Sequence, residues 1–257
     1  MSSKKSPDLI WLRPEPNERQ PRLNREQITA AVLKIADHEG FAAVTMKRIA
    51  AELGCATMTL YYYVRTKADI VALMHDAILA EILLPEDQMP ADWREATAAI
   101  ARRTREVLLA HPWSLASLNH AQMGPNAMRH MEQSLAALDG LELDMAEKFD
   151  FWGIVDDYVF GNALHSIESL TRATAAERNP ALVADALAFG RQQIATGEFP
   201  RLAALSQSQG FFEPTAFEHN SSPRPKTALE AQFERGLKAL LDGLADRMNS
   251  AKDLSTD

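Results

Sequence analysis

"TMTLYYYVRTKADI", residues 57–70, sets three tyrosines in a row between two threonines and a basic turn, directly after "AAELGCA". Successive side chains on a helix point about 100° apart, so Tyr61, Tyr62 and Tyr63 cannot share one buried face. At least one ring must look outward, where a hydroxyl-tipped aromatic serves as a contact. Leu60 and Val64, one turn apart, are the residues expected to face inward.

Working outward, three helices fit residues 25–64. In "REQITAAVLKIADHEG", Ile28, Ala31, Val32, Ile35 and Ala36 form one apolar stripe. "MKRIAAEL" follows Thr45 as its N-cap and buries Ile49, Ala50 and Leu53, and Gly54 ends it. Cys55, in the turn that follows, fits as a small apolar plug. Two short helices joined by a glycine-containing turn, the second with polar and aromatic residues outward, describe a helix-turn-helix.

Beyond this region the pattern stays helical. Strand-like alternation is absent, and a side-chain oxygen followed three residues later by Glu, Gln or Asp marks helix starts. Asn24/Gln27, Thr66/Asp69, Asp92/Glu95, Asp144/Glu147 and Thr227/Glu230 fit, and Asn179-Pro180 adds a cap followed by proline. They predict helices from about 25, 67, 93, 145, 180 and 228, with shorter ones at 46–53, 58–64, 114–122 and 126–138. About ten helices make an all-α fold. The expected organisation is a flexible arm over 1–22, a helix-turn-helix domain over 23–69, a helical body over 70–250 and a tail over 251–257. Residues 198–226 are expected to form a long loop with one short helix inside.

The formal charge of −8 argues against a protein that coats nucleic acid over its whole surface. It is unevenly spread: residues 1–75 carry 11 Lys+Arg against 8 Asp+Glu, residues 76–257 carry 16 against 27. Only the N-terminal quarter is suited to an anionic partner. A single cysteine excludes an intramolecular disulfide and suits a reducing compartment. No apolar run is long enough to span a bilayer, and the N-terminal segment lacks a signal-peptide core, so a cytoplasmic location with no membrane partner is expected.

"LNREQITAAVLKIADHEGFAAVTMKRIAAELGCATMTLYYYVRTKADIVALM" resembles the DNA-binding domain of the tetracycline-repressor (TetR) family of bacterial regulators. The shared "T-LY--V--K" core is Thr59, Leu60, Tyr61, Val64 and Lys67. The resemblance implies that the third helix enters the major groove of operator DNA. Thr57, Met58, Thr59 and Tyr62 would meet base edges, while Tyr61, Tyr63, Lys67, Thr45 and Lys47 would meet phosphates. Tyr62-Tyr63 stands where the founding protein has Trp-His, so a different operator is expected. Arg13, Arg19, Arg22 and Arg25 either reach a minor groove or belong to a solvated tail.

The resemblance also implies a homodimer, built from the helix near 145–170 and the last helix, "TALEAQFERGLKALLDGLADRM". Its stripe supplies Phe233, Leu237, Leu240, Leu241 and Leu244 as the expected interface. A small-molecule effector would bind between the outer helices. His111, Trp113, Asn119, Met123, Met128, Trp152, Asp156, Phe160 and His165 are the candidate lining, since such pockets are mostly apolar with few polar groups. In the founding protein, histidines hold the drug as a magnesium chelate. Leu83 occupies one of those positions here, so tetracycline is not expected.

No cofactor or dedicated metal site is expected, because His111, His120, His130 and His165 lack paired ligand spacing. An enzyme is the rival class: "DDYVFGNALHSIESL" superficially resembles the metal motif of all-helical terpenoid synthases. Phe160 and Leu170 stand where that motif needs acids. The reading is a ligand-released repressor, with an activator or a partner-controlled regulator of the same fold left open.

Overall fold

The computed structural model describes residues 9–15, 23–117, 122–209 and 226–254. Among these there are eleven α-helices and no strand. They are α1 (Arg25–Glu39), α2 (Met46–Glu52), α3 (Thr57–Tyr63), α4 (Lys67–Ile82), α5 (Trp93–Ala110), α6 (Trp113–Ala116), α7 (Pro125–Ala136), α8 (Met145–Arg178), α9 (Pro180–Ala195), α10 (Pro200–Gln209) and α11 (Lys226–Leu254).

The starts follow from local capping. Asn24 and Gln27 form a reciprocal box at α1, Thr66 and Asp69 at α4. Asp144 and Glu147 exchange the same pair of bonds, both 2.9 Å, ahead of α8. Asp92 accepts from the backbone N–H groups of Arg94 and Glu95, and Asn179 from that of Leu182. Each cap satisfies donors that the first helical turn leaves open. Thr227/Glu230 is the exception, because α11 already begins at Lys226. Gly54, at φ +63°, ends α2 in the left-handed region that glycine enters without steric cost, and the turn closes through Cys55 N–H to the Ala50 carbonyl.

The chain divides into two compact units, 1–160 and 161–257. In the first, one core joins Ile28, Val32 and Ile35 of α1, Ile49 of α2, Leu60 of α3 and Ile70, Met74 and Ile82 of α4 with Val107 and Trp113. The helix-turn-helix therefore shares its core with α4 and the end of α5, and the expected boundary at 69/70 is no break in packing. Burying each large aliphatic side chain stabilises this arrangement by about 1.5–3 kcal/mol.

The expectation of a flexible arm fails where the arm is described. Residues Ile10–Leu12 form one 3-10 turn, and Ile10 is fully buried in the core. Arg13, itself buried, pairs with Asp69, whose carboxylate also accepts from the backbone N–H groups of Arg65 and Thr66. An isolated Ile-Trp pair in a Pro- and Glu-rich context gave no periodicity to read, yet one buried anchor and one buried ion pair pin the segment. Arg19 and Arg22 lie outside the described residues.

In the second unit, α9 packs on α10. Helix α10 occupies the start of the expected 198–226 loop, and the rest of that stretch lies outside the described residues. On α11, Leu229, Phe233, Leu237 and Leu241, spaced four apart, are buried within the chain. That corrects the expected dimer face: its broad stripe has two facets, and only Leu240 and Leu244 stay half-buried. No described helix is long and apolar enough to cross a membrane.

Candidate nucleic-acid interface and ligand cavity

Leu60 and Val64 anchor the recognition segment, both fully buried. With that side fixed, the opposite side of α3 points to solvent. Met58 is 78% and Tyr62 68% exposed, Tyr61 is exposed to a lesser degree, and Thr59 is exposed. Thr57 and Tyr63 are half-buried. Tyr63 packs on the core, and Tyr62 stands edge-on to it with ring centroids 5.7 Å apart. Of the triplet, two rings look outward and the third braces one of them.

Lys47 and Thr45 are exposed at the start of α2, where the Thr45 hydroxyl accepts from Arg48 N–H. Lys67 is exposed at the start of α4, its Nζ 4.7 Å from the Phe41 ring centroid. Acidic residues nearby are neutralised: Arg48 donates to Glu39 and pairs with Glu52, which Lys34 also engages. Those donated bonds hold both carboxylates below the usual range. The face around α3 thus offers hydroxyls, rings and ammonium groups with its carboxylates already paired.

A second site lies in the helical body of the first unit. Helix α5 supplies Thr97, Ile100, Ala101 and Thr104; His130 and Ser134 on α7 are followed by Leu138; α8 supplies Phe151, Trp152, Val155, Asp156 and Val159. They surround a cavity of about 20 Å³, room for a single water. Thr97 Oγ1, His130 Nδ1 and Ser134 Oγ are buried without hydrogen-bond partners. Burial holds the His130 imidazole down to about 4. Burial, with the negative Asp157 beside it, pushes the Asp156 carboxyl up to about 7.

Of the sequence-predicted lining, Trp152 and Asp156 are at this cavity. Phe160 is half-buried outside it, His165 is exposed, and Met123 and Met128 are each 62% exposed. Asn119 lies outside the described residues. His111 and Trp113 serve elsewhere: His111 Nδ1 lies 2.8 Å from Asp37 Oδ1, and Trp113 Nε1 donates to the same oxygen at 2.7 Å. Asp37 is on α1, so this pair ties the end of α5 to the DNA-binding helices. Thr97, His130 and Ser134 were missed. The signal for Thr97 was Thr97, Ile100, Ala101 and Thr104 at i, i+3, i+4 and i+7, threonines on an otherwise apolar stripe. Among the described residues no three His, Cys, Asp or Glu side chains converge as metal ligands.

Two family models match the chain: bacterial regulatory proteins of the tetR family over residues 28–74, and the tetracyclin repressor-like C-terminal domain over residues 84–248. The HTH-type transcriptional repressor DrrR1 of Streptomyces coeruleorubidus is 34% identical over 249 residues, 92% of this chain and 83% of that one. An HTH-type transcriptional regulator of Saccharopolyspora erythraea is 32% identical over 252 residues, 95% of this chain and 94% of that one. Among solved structures, apo ActR of Streptomyces coelicolor superposes with a TM-score of 0.67 at 24% identity, covering 90% of this chain and 99% of ActR. ActR in complex with actinorhodin gives 0.64 at 25% identity, covering 88% and 98%.

Proposed function

The chain belongs to the TetR family of bacterial transcription regulators, and from that premise we propose a cytoplasmic homodimeric repressor that leaves its operator when a small molecule enters the α5–α7–α8 cavity. The observation that carries the DNA-binding part is the outward face of α3, where Met58, Thr59, Tyr61 and Tyr62 stand free of the core beside Lys47 and Lys67. Threonine methyls and ring edges suit thymine methyl groups in the major groove, and hydroxyls and ammonium groups suit phosphates. One seven-residue helix reads few bases, and a two-fold pair reads half-sites about one helical turn apart. Exposed Leu164 and Leu170 on α8, with half-buried Leu240 and Leu244 on α11, support that pairing.

Release follows from how the helices are joined. The cavity is too small for an organic molecule, so a ligand must part α5, α7 and α8. Helix α7 is hydrogen-bonded to the α4 segment near both of its ends, Asn126 to Asp76 and Gln133 to Leu84. Displacing α7 therefore tilts α4, which carries the recognition domain. Such coupling needs only that the ligand prefer the parted state. ActR binds actinorhodin, which supports an effector role for the corresponding body here. The chain's relatives are regulators, and we assign it no catalytic step. Gel-shift titration with the DNA upstream of its own gene tests the reading: specific retention of a palindromic site is expected, and equal affinity for unrelated duplex would overturn it.

A further inference from the structure

We propose that the α5–α7–α8 cavity takes an uncharged, ring-bearing ligand whose hydroxyl or carbonyl groups, arrayed along one edge, bond to Thr97, His130 and Ser134, and that it rejects carboxylates and phosphates. This rests on the effector reading above and narrows it to a chemical class.

Three buried polar atoms without partners converge on one cavity, and their residues are only 8%, 6% and 6% exposed. Buried polar atoms are nearly always partnered, so three orphans around one cavity, from α5 and α7, mark a place for a group that bonds to them. His130 and Ser134, four residues apart, share one face of α7, and Thr97 joins them from α5. The α8 wall is different in kind: Phe151, Trp152, Val155 and Val159 give two rings and two branched aliphatics. A flat ring system suits that wall, and a polar edge suits the other.

The charge of the ligand follows from what the lining lacks. Lys and Arg are absent from the twelve lining residues, whose ionisable members are His130 and Asp156. Burial keeps the imidazole neutral at pH 7, so no cation awaits an anionic ligand, whose desolvation would go uncompensated. A neutral imidazole and two rotatable hydroxyls donate or accept equally well, which matches hydroxyl and carbonyl groups. A cationic amine would find Asp156 but leave the three neutral atoms unpaired.

Calorimetric titration of the full-length protein at pH 7 with 2,3-dihydroxynaphthalene and with 2-naphthoate tests this, since the two share their ring system and differ in charge and hydroxyls. The dihydroxy probe is expected to bind at least ten-fold more tightly. The double variant Thr97→Val with Ser134→Ala is expected to lose ten-fold or more of that affinity. Its Tm should equal or exceed that of the parent, because each change removes an unpaired buried hydroxyl at nearly constant volume. Naphthoate binding as tight as the dihydroxy probe, binding by neither, or an unaltered double variant overturns the proposal. Failure to retain the upstream DNA sinks the regulator reading instead, and leaves the order of the probes to be read separately.

Discussion

Asn126 at the start of α7 and Asp76 in the middle of α4 hold one another by three hydrogen bonds. Asn126 donates from its backbone N to Oδ1 at 2.8 Å, and from Nδ2 to Oδ2 at 2.9 Å and to the Asp76 carbonyl at 3.1 Å. Gly124 lies so close that a Cβ there would strike the Asp76 carboxylate and the Trp11 ring. Asn126→Ala removes the two side-chain bonds and leaves a buried carboxylate short of donors. A loss of about 1–3 kcal/mol in stability is expected, measured by urea unfolding. A weaker response of operator binding to effector should accompany it, because α7 no longer drags α4. An unchanged effector dose–response would show that the coupling runs through another contact.

Asp156 and His130 titrate in opposite senses over one pH window. The Asp156 carboxyl is raised to about 7 in the fold, so it contributes stability at low pH that is lost as pH rises from about 4 to about 7. The His130 imidazole is lowered to about 4, so its contribution is complete above about 6.5 and is lost as pH falls. Asp157, next along the helix, is the charged group that acts on Asp156, His130 is the other ionisable residue of the cavity lining, and the α5 lining residues do not titrate. In the parent protein the two slopes oppose each other. Asp156→Asn should leave stability rising with pH between about 4.5 and 6.5, and His130→Asn should leave it falling, each by at most about 1.4 kcal/mol per pH unit. Chemical unfolding across that range reads both slopes, and parallel behaviour of the two variants would refute the assignment.

Local chemistry was legible in the sequence, and convergence was not. The starts of α1, α4, α5, α8 and α9 rest on a cap and its next three residues, so Asn24, Thr66, Asp92, Asp144 and Asn179 announced them directly. The outward tyrosines followed from helix geometry alone. The cavity did not, because Thr97 lies on α5 and His130 and Ser134 lie on α7, and they acquire meaning only when those helices meet. His111 and Trp113 looked like lining for the same reason in reverse: nothing local shows that Asp37, over seventy residues earlier, takes both. Ile10 was equally silent, a single anchor with no period around it.

Tyr62 and Lys67 should separate sequence reading from charge. Tyr62→Ala removes an exposed ring, so folding stability stays within about 0.5 kcal/mol while operator affinity falls by about 1–3 kcal/mol. Lys67→Ala removes an exposed ammonium from the start of α4. It should weaken operator and unrelated DNA alike and reduce the salt dependence of binding by about one counterion. Fluorescence anisotropy at several salt concentrations measures both. A Lys67→Ala variant with the parent salt slope would remove that residue from the phosphate contacts.

The two facets of α11 make opposite predictions for similar substitutions. Leu237 is 1% exposed, so Leu237→Glu places a charge in an apolar interior and should prevent folding or lower Tm steeply. Leu244 is half-buried on the other facet, and in the proposed dimer Leu244→Glu would set one carboxylate against its twin across a two-fold axis. The expected result is a folded monomer by sedimentation, a Tm that no longer rises with protein concentration, and operator affinity reduced a hundred-fold or more as the paired half-sites are lost. A Leu244→Glu protein that sediments as a dimer and keeps its operator affinity would move the interface off this facet.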